Sequence, residues 1–121
     1  MLLKVWYVDD EFDLCEVFSD FFSSAEVEVK TFVSHLAALQ EAKINPPDLL
    51  FLDYRLKGAT GDWVAQQMDP AIPKYLVTGE ASPPCKYPYL KVIYKPYRRQ
   101  DLDEIIQQYL DLKQKAQKNA S

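Results

Sequence analysis

Five polar residues lie at or just after the ends of short apolar segments: Asp9, Asp10, Asp53, Thr78 and Lys95. Residues of these types can bind a phosphoryl group or a metal ion. Three carboxylates held together repel one another, and apolar segments behind them provide no solvation, so a positive charge has to lie among them. A divalent cation bound through oxygens supplies that charge, and Mg²⁺ takes one or two carboxylates while keeping several waters. Lys95 adds a second positive charge. The set is suited to a phosphoryl group and its magnesium ion.

Each of these residues also has an ordinary structural explanation. Asp9 and Asp10 could cap a following helix and favour its positive end. Asp53 and Thr78 could begin turns, and Lys95 could be a solvated strand end. Short matches often arise by chance. The conjunction of all five at predicted strand ends favours the functional interpretation.

The segments that position these residues predict five strands alternating with helices. Apolar or alternating runs place the strands at Leu2–Val8, Val27–Phe32, Leu49–Leu52, Tyr75–Val77 and Lys91–Tyr94. Repeated strand and helix units predict an α/β fold with a doubly wound parallel sheet and right-handed crossovers. Ligands of such sheets bind beyond the carboxyl ends of the strands. The five polar residues converge at that edge.

Helical spacing of apolar residues predicts the helices. The predicted buried stripe of the first helix consists of Leu14, Val17, Phe18, Phe21 and Phe22. Ser34 is expected to cap a second helix that carries Leu36, Leu39 and Ala42 and that stops at Asn45, Pro46 and Pro47. A loop over Tyr54–Thr60 precedes a third helix, which is expected to run from Gly61 to a stop at Pro70. The last helix carries Leu102, Ile105, Ile106, Tyr109 and Leu110.

Composition predicts one compact domain over residues 1–121. The chain is 48% hydrophobic and 26% charged, with a net charge of −4 and no dense basic stripe, so direct nucleic-acid binding is not expected. Neither a signal peptide nor a membrane-spanning apolar run is evident. Cys15 and Cys85 are far apart, as is typical of reduced thiols in a cytoplasmic protein. We therefore expect a cytoplasmic location without membrane contact.

The chain resembles the receiver domain of two-component response regulators over essentially its whole length. The motifs that carry the resemblance are Val8-Asp9-Asp10-Glu11, Leu50-Phe51-Leu52-Asp53, Val77-Thr78-Gly79 and Tyr94-Lys95-Pro96. The resemblance implies a five-stranded parallel sheet with the flavodoxin-like order 2-1-3-4-5. It also implies that a histidine kinase or a phosphotransfer protein phosphorylates the chain on Asp53. The chain would then be a phosphoacceptor that can dephosphorylate itself, rather than an enzyme.

Residue roles follow from the same resemblance. Asp10 would bind Mg²⁺ directly, Asp9 mostly through water, and Asp53 and the backbone carbonyl of Arg55 would complete the protein ligands. Thr78 would donate its hydroxyl to the phosphoryl group, Lys95 would pair with it, and the Lys95-Pro96 bond would be cis. Arg55 and Glu80 are candidate modulators, because family geometry places both beside the phosphoryl group. Paired across it, they would slow its hydrolysis.

Three features depart from the family pattern. Val92 occupies the position of the usual aromatic switch residue, and Lys57 stands where proline is common. Residues 80–89 contain three prolines and no helical stripe, so the helix between the fourth and fifth strands is expected to be absent or degenerate. The face formed by those strands and the last helix, the fifth of the family pattern, is then expected to bind an output protein or a second copy. Tyrosines at 87, 89 and 97 lie in or beside this face and are expected to contribute to it; the alternative is that they close the core of a monomer.

Other functions remain alternatives at this stage. A pseudo-receiver would keep the fold as a protein-binding module independent of phosphorylation, and the departures favour it, whereas the complete acidic set argues against it. An aspartate-nucleophile phosphatase would need an Asp-x-Asp motif, which Asp53-Tyr54-Arg55 lacks. A nucleotide-binding module would need a glycine-rich loop after the first strand, and none occurs there.

Overall fold

The computed structural model describes residues 2–120, which form seven strands and four helices. In chain order they are β1 (Leu3–Val8), α1 (Phe12–Phe22), β2 (Val27–Phe32), α2 (His35–Ile44), β3 (Leu49–Leu52), β4 (Arg55–Leu56), β5 (Ala59–Thr60), α3 (Gly61–Gln67), β6 (Lys74–Thr78), β7 (Val92–Tyr94) and α4 (Arg99–Ala120). None of the helices within this range is both long and apolar enough to cross a membrane.

Five strands form one parallel sheet in the order β2-β1-β3-β6-β7, which confirms the predicted fold class and strand order. The register aligns Val8 of β1 with Leu52 of β3, so the residues that follow these strands start side by side. It also aligns Thr78 of β6 with Tyr94 of β7. The strand ends that carry the predicted site residues therefore meet at one edge.

Apolar side chains form one core cluster on each face of the sheet, because successive residues of a strand point to opposite faces. In β1, Val5 and Tyr7 belong to the first core cluster, which includes residues of α1 and α4. Trp6 and Val8 belong to the second core cluster, which includes residues of α2 and α3. The second cluster is closed by residues from the segment between β6 and β7.

The predicted buried stripe of α1 is wrong in part. Phe18 and Phe22 are buried as expected, but Val17 and Phe21 are exposed and Cys15 is buried instead. The helix carries apolar residues around more of its circumference than the sheet covers, so packing selects the face through positions 15, 18 and 22. In α2, Ser34 caps the helix by accepting from Ala37 N at 3.3 Å, whereas Leu36 remains 58% exposed.

Residues 54–60 form a short antiparallel hairpin of β4 and β5 instead of the predicted loop. Gly58 takes φ 86° in its turn, a backbone conformation that favours glycine. Helix α3 begins at Gly61 as predicted but ends at Gln67, before Pro70. A Cβ on Gly61 would lie 2.5 Å from the carbonyl oxygen of Asp53. Only a glycine allows the helix to start so close to the end of β3.

Residues 79–91 contain no helix, as their prolines predict. The segment is held against α3 by Asp62, whose carboxylate accepts hydrogen bonds from Lys86 N at 2.6 Å, Tyr87 N at 3.3 Å and the Tyr89 hydroxyl at 2.9 Å. Tyr87 and Tyr89 pack against the second core cluster, and Tyr97 packs against the first. All three are partly buried, which favours the alternative that they close the core.

Candidate functional site

Asp9, Asp10 and Asp53 converge at the carboxyl edge of the sheet, with one carboxylate oxygen of each within 4.8 Å of the others. The register of β1 and β3 produces this arrangement, and Asp53 N donates to Val8 O at 3.0 Å across the two strands. Asp9 and Asp53 are buried, whereas Asp10 is exposed. Hard oxygen ligands of this kind fit Mg²⁺, which retains waters on its open side.

Lys95 brings a positive charge to the acids. Its Nζ lies 2.7 Å from Asp9 Oδ2 and 3.4 Å from Asp53 Oδ2. The backbone positions it at the end of β7, where Lys95 N donates to Thr78 O at 2.8 Å. The Lys95-Pro96 peptide bond is cis, as predicted. The Lys95 ammonium group thus forms ion pairs with two of the three acids.

Asp9 is fully buried and its carboxylate accepts three hydrogen bonds. The donors are Lys95 Nζ and the Tyr7 hydroxyl, both to Oδ2, and Glu11 N, to Oδ1 at 3.0 Å. Burial and the charge of Asp9 raise the pKa of Tyr7 far above its usual value, so the phenol keeps its proton and donates. Sequence reasoning missed Tyr7. The available signal was its position two residues before Asp9, which places both side chains on the same side of an extended chain.

The electrostatics of the pocket perturb the ionisation of Asp53. Burial raises the pKa of Asp53 to about 6; the positive charge of Lys95 opposes this shift and the negative charge of Asp9 adds to it. Burial alone would lower the pKa of Lys95, but its hydrogen bond to Asp9 and the two acidic charges raise it overall. A carboxyl with a raised pKa beside a specific charged partner is typical of functional sites.

Thr78, Arg55 and Glu80 are the remaining predicted site residues. Thr78 is buried at the end of β6, and its Oγ1 accepts from Glu80 N at 3.2 Å. The side chains of Arg55 and Glu80 form an ion pair, as predicted, and Glu80 raises the pKa of Arg55. Arg55 also lies over the Tyr54 ring, 5.2 Å from its centroid. This pair joins the hairpin that follows Asp53 to the segment that follows Thr78.

Comparison with known families gives one match. The sequence model described as the response regulator receiver domain matches residues 5–107. A comparison with curated proteins found no match.

Solved structures with the same architecture include many receiver domains. A CheY-like receiver domain from Methylobacillus flagellatus has a TM-score of 0.79 at 20% identity, covering 90% of this chain and 99% of that one. A CheY-like receiver domain protein from Methanospirillum hungatei has a TM-score of 0.80 at 22% identity, covering 96% and 99%. NtrX from Brucella abortus has a TM-score of 0.74 at 21% identity, covering 99% of this chain and 30% of NtrX. At these identities the likeness shows a shared fold.

Proposed function

The chain belongs to the response regulator receiver domain family, and from that premise we propose that Asp53 accepts a phosphoryl group in a Mg²⁺-dependent reaction and signals by conformational change. The donor is a histidine kinase or a phosphotransfer protein. The observation that carries the proposal is the pocket itself, in which Asp53 lies 3.4 Å from Lys95 Nζ and within 4.8 Å of two further carboxylates. Catalysis of phosphoryl transfer depends mainly on positioning the reacting groups and on neutralising the charge of the phosphoryl oxygens.

Asp53 is the nucleophile of the proposed step. One of its carboxylate oxygens forms a bond to phosphorus while the phosphorus–nitrogen bond of the donor phosphohistidine breaks, and the departing imidazole takes up a proton. The product is an acyl phosphate on Asp53. Its hydrolysis by water releases inorganic phosphate and restores the carboxylate, so the chain acts as a phosphoacceptor rather than as an enzyme on a separate substrate.

Lys95 and Thr78 would stabilise the transferred group. The Lys95 ammonium already lies between Asp9 and Asp53, so a small movement brings it to a phosphoryl oxygen. The Thr78 hydroxyl, at the end of the neighbouring strand, would donate to another. Both interactions neutralise charge on the equatorial oxygens, where the transition state carries it.

The metal ligands are part of this proposal. Asp10 and Asp53 would bind Mg²⁺ directly together with the backbone carbonyl of Arg55, and Asp9 would bind through water. The three donors already on the buried Asp9 carboxylate support its indirect role, and the exposure of Asp10 supports a direct one. When bound there, Mg²⁺ would neutralise the acids and the phosphoryl oxygens together.

A pseudo-receiver that binds proteins without phosphorylation is the weaker alternative. The absence of a helix between β6 and β7 and the presence of Val92 agree with it. The assembled acids and the shared lysine argue against it, because a binding module has no use for a buried carboxyl with a raised pKa.

The output belongs to the same proposal. Signalling would pass to an output protein or a second copy through the face formed by β6, β7 and α4, on which Leu90 and Tyr94 are 62% and 50% exposed. The kinase and the output partner would meet the chain in the cytoplasm, in keeping with its two free cysteines.

Intact-mass analysis after incubation with acetyl phosphate tests the proposal, with and without Mg²⁺. The parent should gain one phosphoryl group only with Mg²⁺, and Asp53→Asn should gain none. Asp103→Asn is the matched control, because it makes the same chemical change on an exposed part of α4. Equal gain by Asp53→Asn, or none by the parent with any small-molecule donor, would favour the pseudo-receiver.

A further inference from the structure

Tyr7 is a core tyrosine whose hydroxyl extends from the core to the pocket formed by Asp9, Asp10 and Asp53. The residue is fully buried, and its ring stacks on that of Phe18 with centroids 4.6 Å apart and planes 14° apart. The hydroxyl donates to Asp9 Oδ2. Because the ring is held by the core, the position of the hydroxyl does not depend on any exposed part of the chain.

The three donors to Asp9 differ in how free they are to move. Tyr7 is fixed by the core and Glu11 N by the backbone, whereas Lys95 is a flexible side chain shared with Asp53. A lost donor leaves an oxygen of a buried carboxylate unpaired, which costs free energy. If Lys95 turned to a phosphoryl group on Asp53, Tyr7 would be the donor that stays on Asp9 Oδ2.

We propose that Tyr7 is a positioning residue that holds the Asp9 carboxylate in a fixed orientation, so that the metal site is preorganised and Lys95 is free to pair with the phosphoryl group. This inference rests on the proposed function. Sequence spacing alone does not reveal this role, because it depends on the stacking of Tyr7 on Phe18.

Tyr7→Phe tests the inference, since it removes the hydroxyl and keeps the ring. We expect the dissociation constant for Mg²⁺ alone, measured by calorimetry on the full chain, to rise about three- to tenfold, at or below the lower end of the range for an outer partner of a direct ligand, because Asp9 itself would bind through water. Tyr89→Phe is the matched control, because its hydroxyl donates to the carboxylate of Asp62 at 2.9 Å, outside the pocket. It should leave the Mg²⁺ dissociation constant unchanged. A merely structural role of Tyr7 would lower the melting temperature without changing that constant.

The outcomes separate this inference from the proposed function. Saturable Mg²⁺ binding by the parent, with Tyr7→Phe within about twofold of it, overturns the role of Tyr7 alone. A parent that does not bind Mg²⁺ overturns both. If Tyr7→Phe fails to fold, the buried hydroxyl proton of Tyr7 in the unaltered chain gives the answer by NMR. Its resonance should move when Mg²⁺ saturates the site, and an unmoved resonance overturns the inference.

Discussion

Asp9 and Asp10 are adjacent in the chain but lie in opposite environments. Asp9 is fully buried and its carboxylate is occupied by three donors, one of them the Lys95 ammonium at 2.7 Å. Asp10 is exposed to solvent. Asp9 is therefore part of the folded core, whereas Asp10 is available to a ligand.

Substitution of the two acids should separate stability from metal binding. Asp10→Ala should weaken Mg²⁺ binding more than Asp9→Ala, because it removes a direct ligand in the proposed site. Asp9→Ala should instead lower the free energy of unfolding of the metal-free protein by roughly 1–3 kcal/mol, because the buried Tyr7 hydroxyl loses its acceptor, whereas Lys95 keeps Asp53 as a partner. Calorimetric Mg²⁺ titration and urea unfolding of both variants check this. Equal losses of affinity, with equal stabilities, would contradict the assignment.

Residues 79–91 take the place of a helix and are attached to the segment that follows Asp53. The attachments are the Arg55–Glu80 ion pair, the Tyr54 hydroxyl with Pro84 O at 3.5 Å, and the three hydrogen bonds to Asp62. Asp62 also lies one residue after Gly61, which is packed against the backbone of Asp53. The residues that follow Asp53, the proposed phosphorylation site, are therefore in direct contact with the helix-free segment.

Asp62→Ala should release part of this segment. It removes the acceptor of two backbone N–H groups and one hydroxyl, which are exposed or partly buried, and a typical hydrogen bond contributes about 0.5–1.5 kcal/mol. Amide exchange at Lys86 and Tyr87 should accelerate markedly, while exchange in β3 stays as in the parent. Tyr89→Phe is the control, since it removes only the hydroxyl bond and should cause a smaller change. Unchanged exchange at Lys86 and Tyr87 would show that the prolines alone hold the segment.

The Arg55–Glu80 ion pair should lengthen the life of the acyl phosphate on Asp53. Arg55→Ala and Glu80→Ala should each accelerate its hydrolysis roughly two- to fivefold, and the double variant should add little, because the two side chains act together. The effect is modest since the pair is near solvent. Loss of the phosphoryl group is followed by intact mass, with the exposed Lys57→Ala as a control in the same hairpin. No acceleration in either single variant would remove the proposed role.

One side of the edge strand β7 is only partly covered, whereas β6 is buried along its whole length. Ile93 points into the first core cluster, whereas Val92 is half-buried and Tyr94 and Leu90 are exposed. An uncovered apolar area at the edge of a sheet is a common place for association, which supports this face as the proposed docking surface.

Sedimentation at several concentrations, with and without a phosphoryl mimic, tests the homodimer. We expect the mimic to strengthen association and Leu90→Lys to abolish it, because a charge would be buried in the contact. Leu36→Lys is the matched control, since Leu36 is similarly exposed, at 58%, on α2. Amide exchange should report a change between Gly79 and Tyr97. A monomer under all conditions, with no such change, would rule out the homodimer and the conformational switch proposed with it.

Local signals in the sequence predicted the strands and placed the acids at their carboxyl ends, whereas the strand order followed from the family resemblance. Strands buried on both faces need continuous apolar runs, so Leu49–Leu52 indicated a central strand and placed Asp53 at its end. Prolines cannot continue a helix, so residues 80–89 indicated the missing helix. Both signals are local, because they depend on a few consecutive residues and on backbone geometry common to all proteins.

Most of the side-chain contacts around the site depend on the tertiary structure. Periodicity showed that α1 has an apolar side, but the rotation of the helix on the sheet buried Cys15 and left Phe21 exposed. The carboxylate of Asp62 binds residues 24–27 positions away, and Tyr7 reaches Asp9 because its ring stacks on Phe18. These contacts depend on the packing of distant segments against one another, and no spacing along the chain encodes that packing.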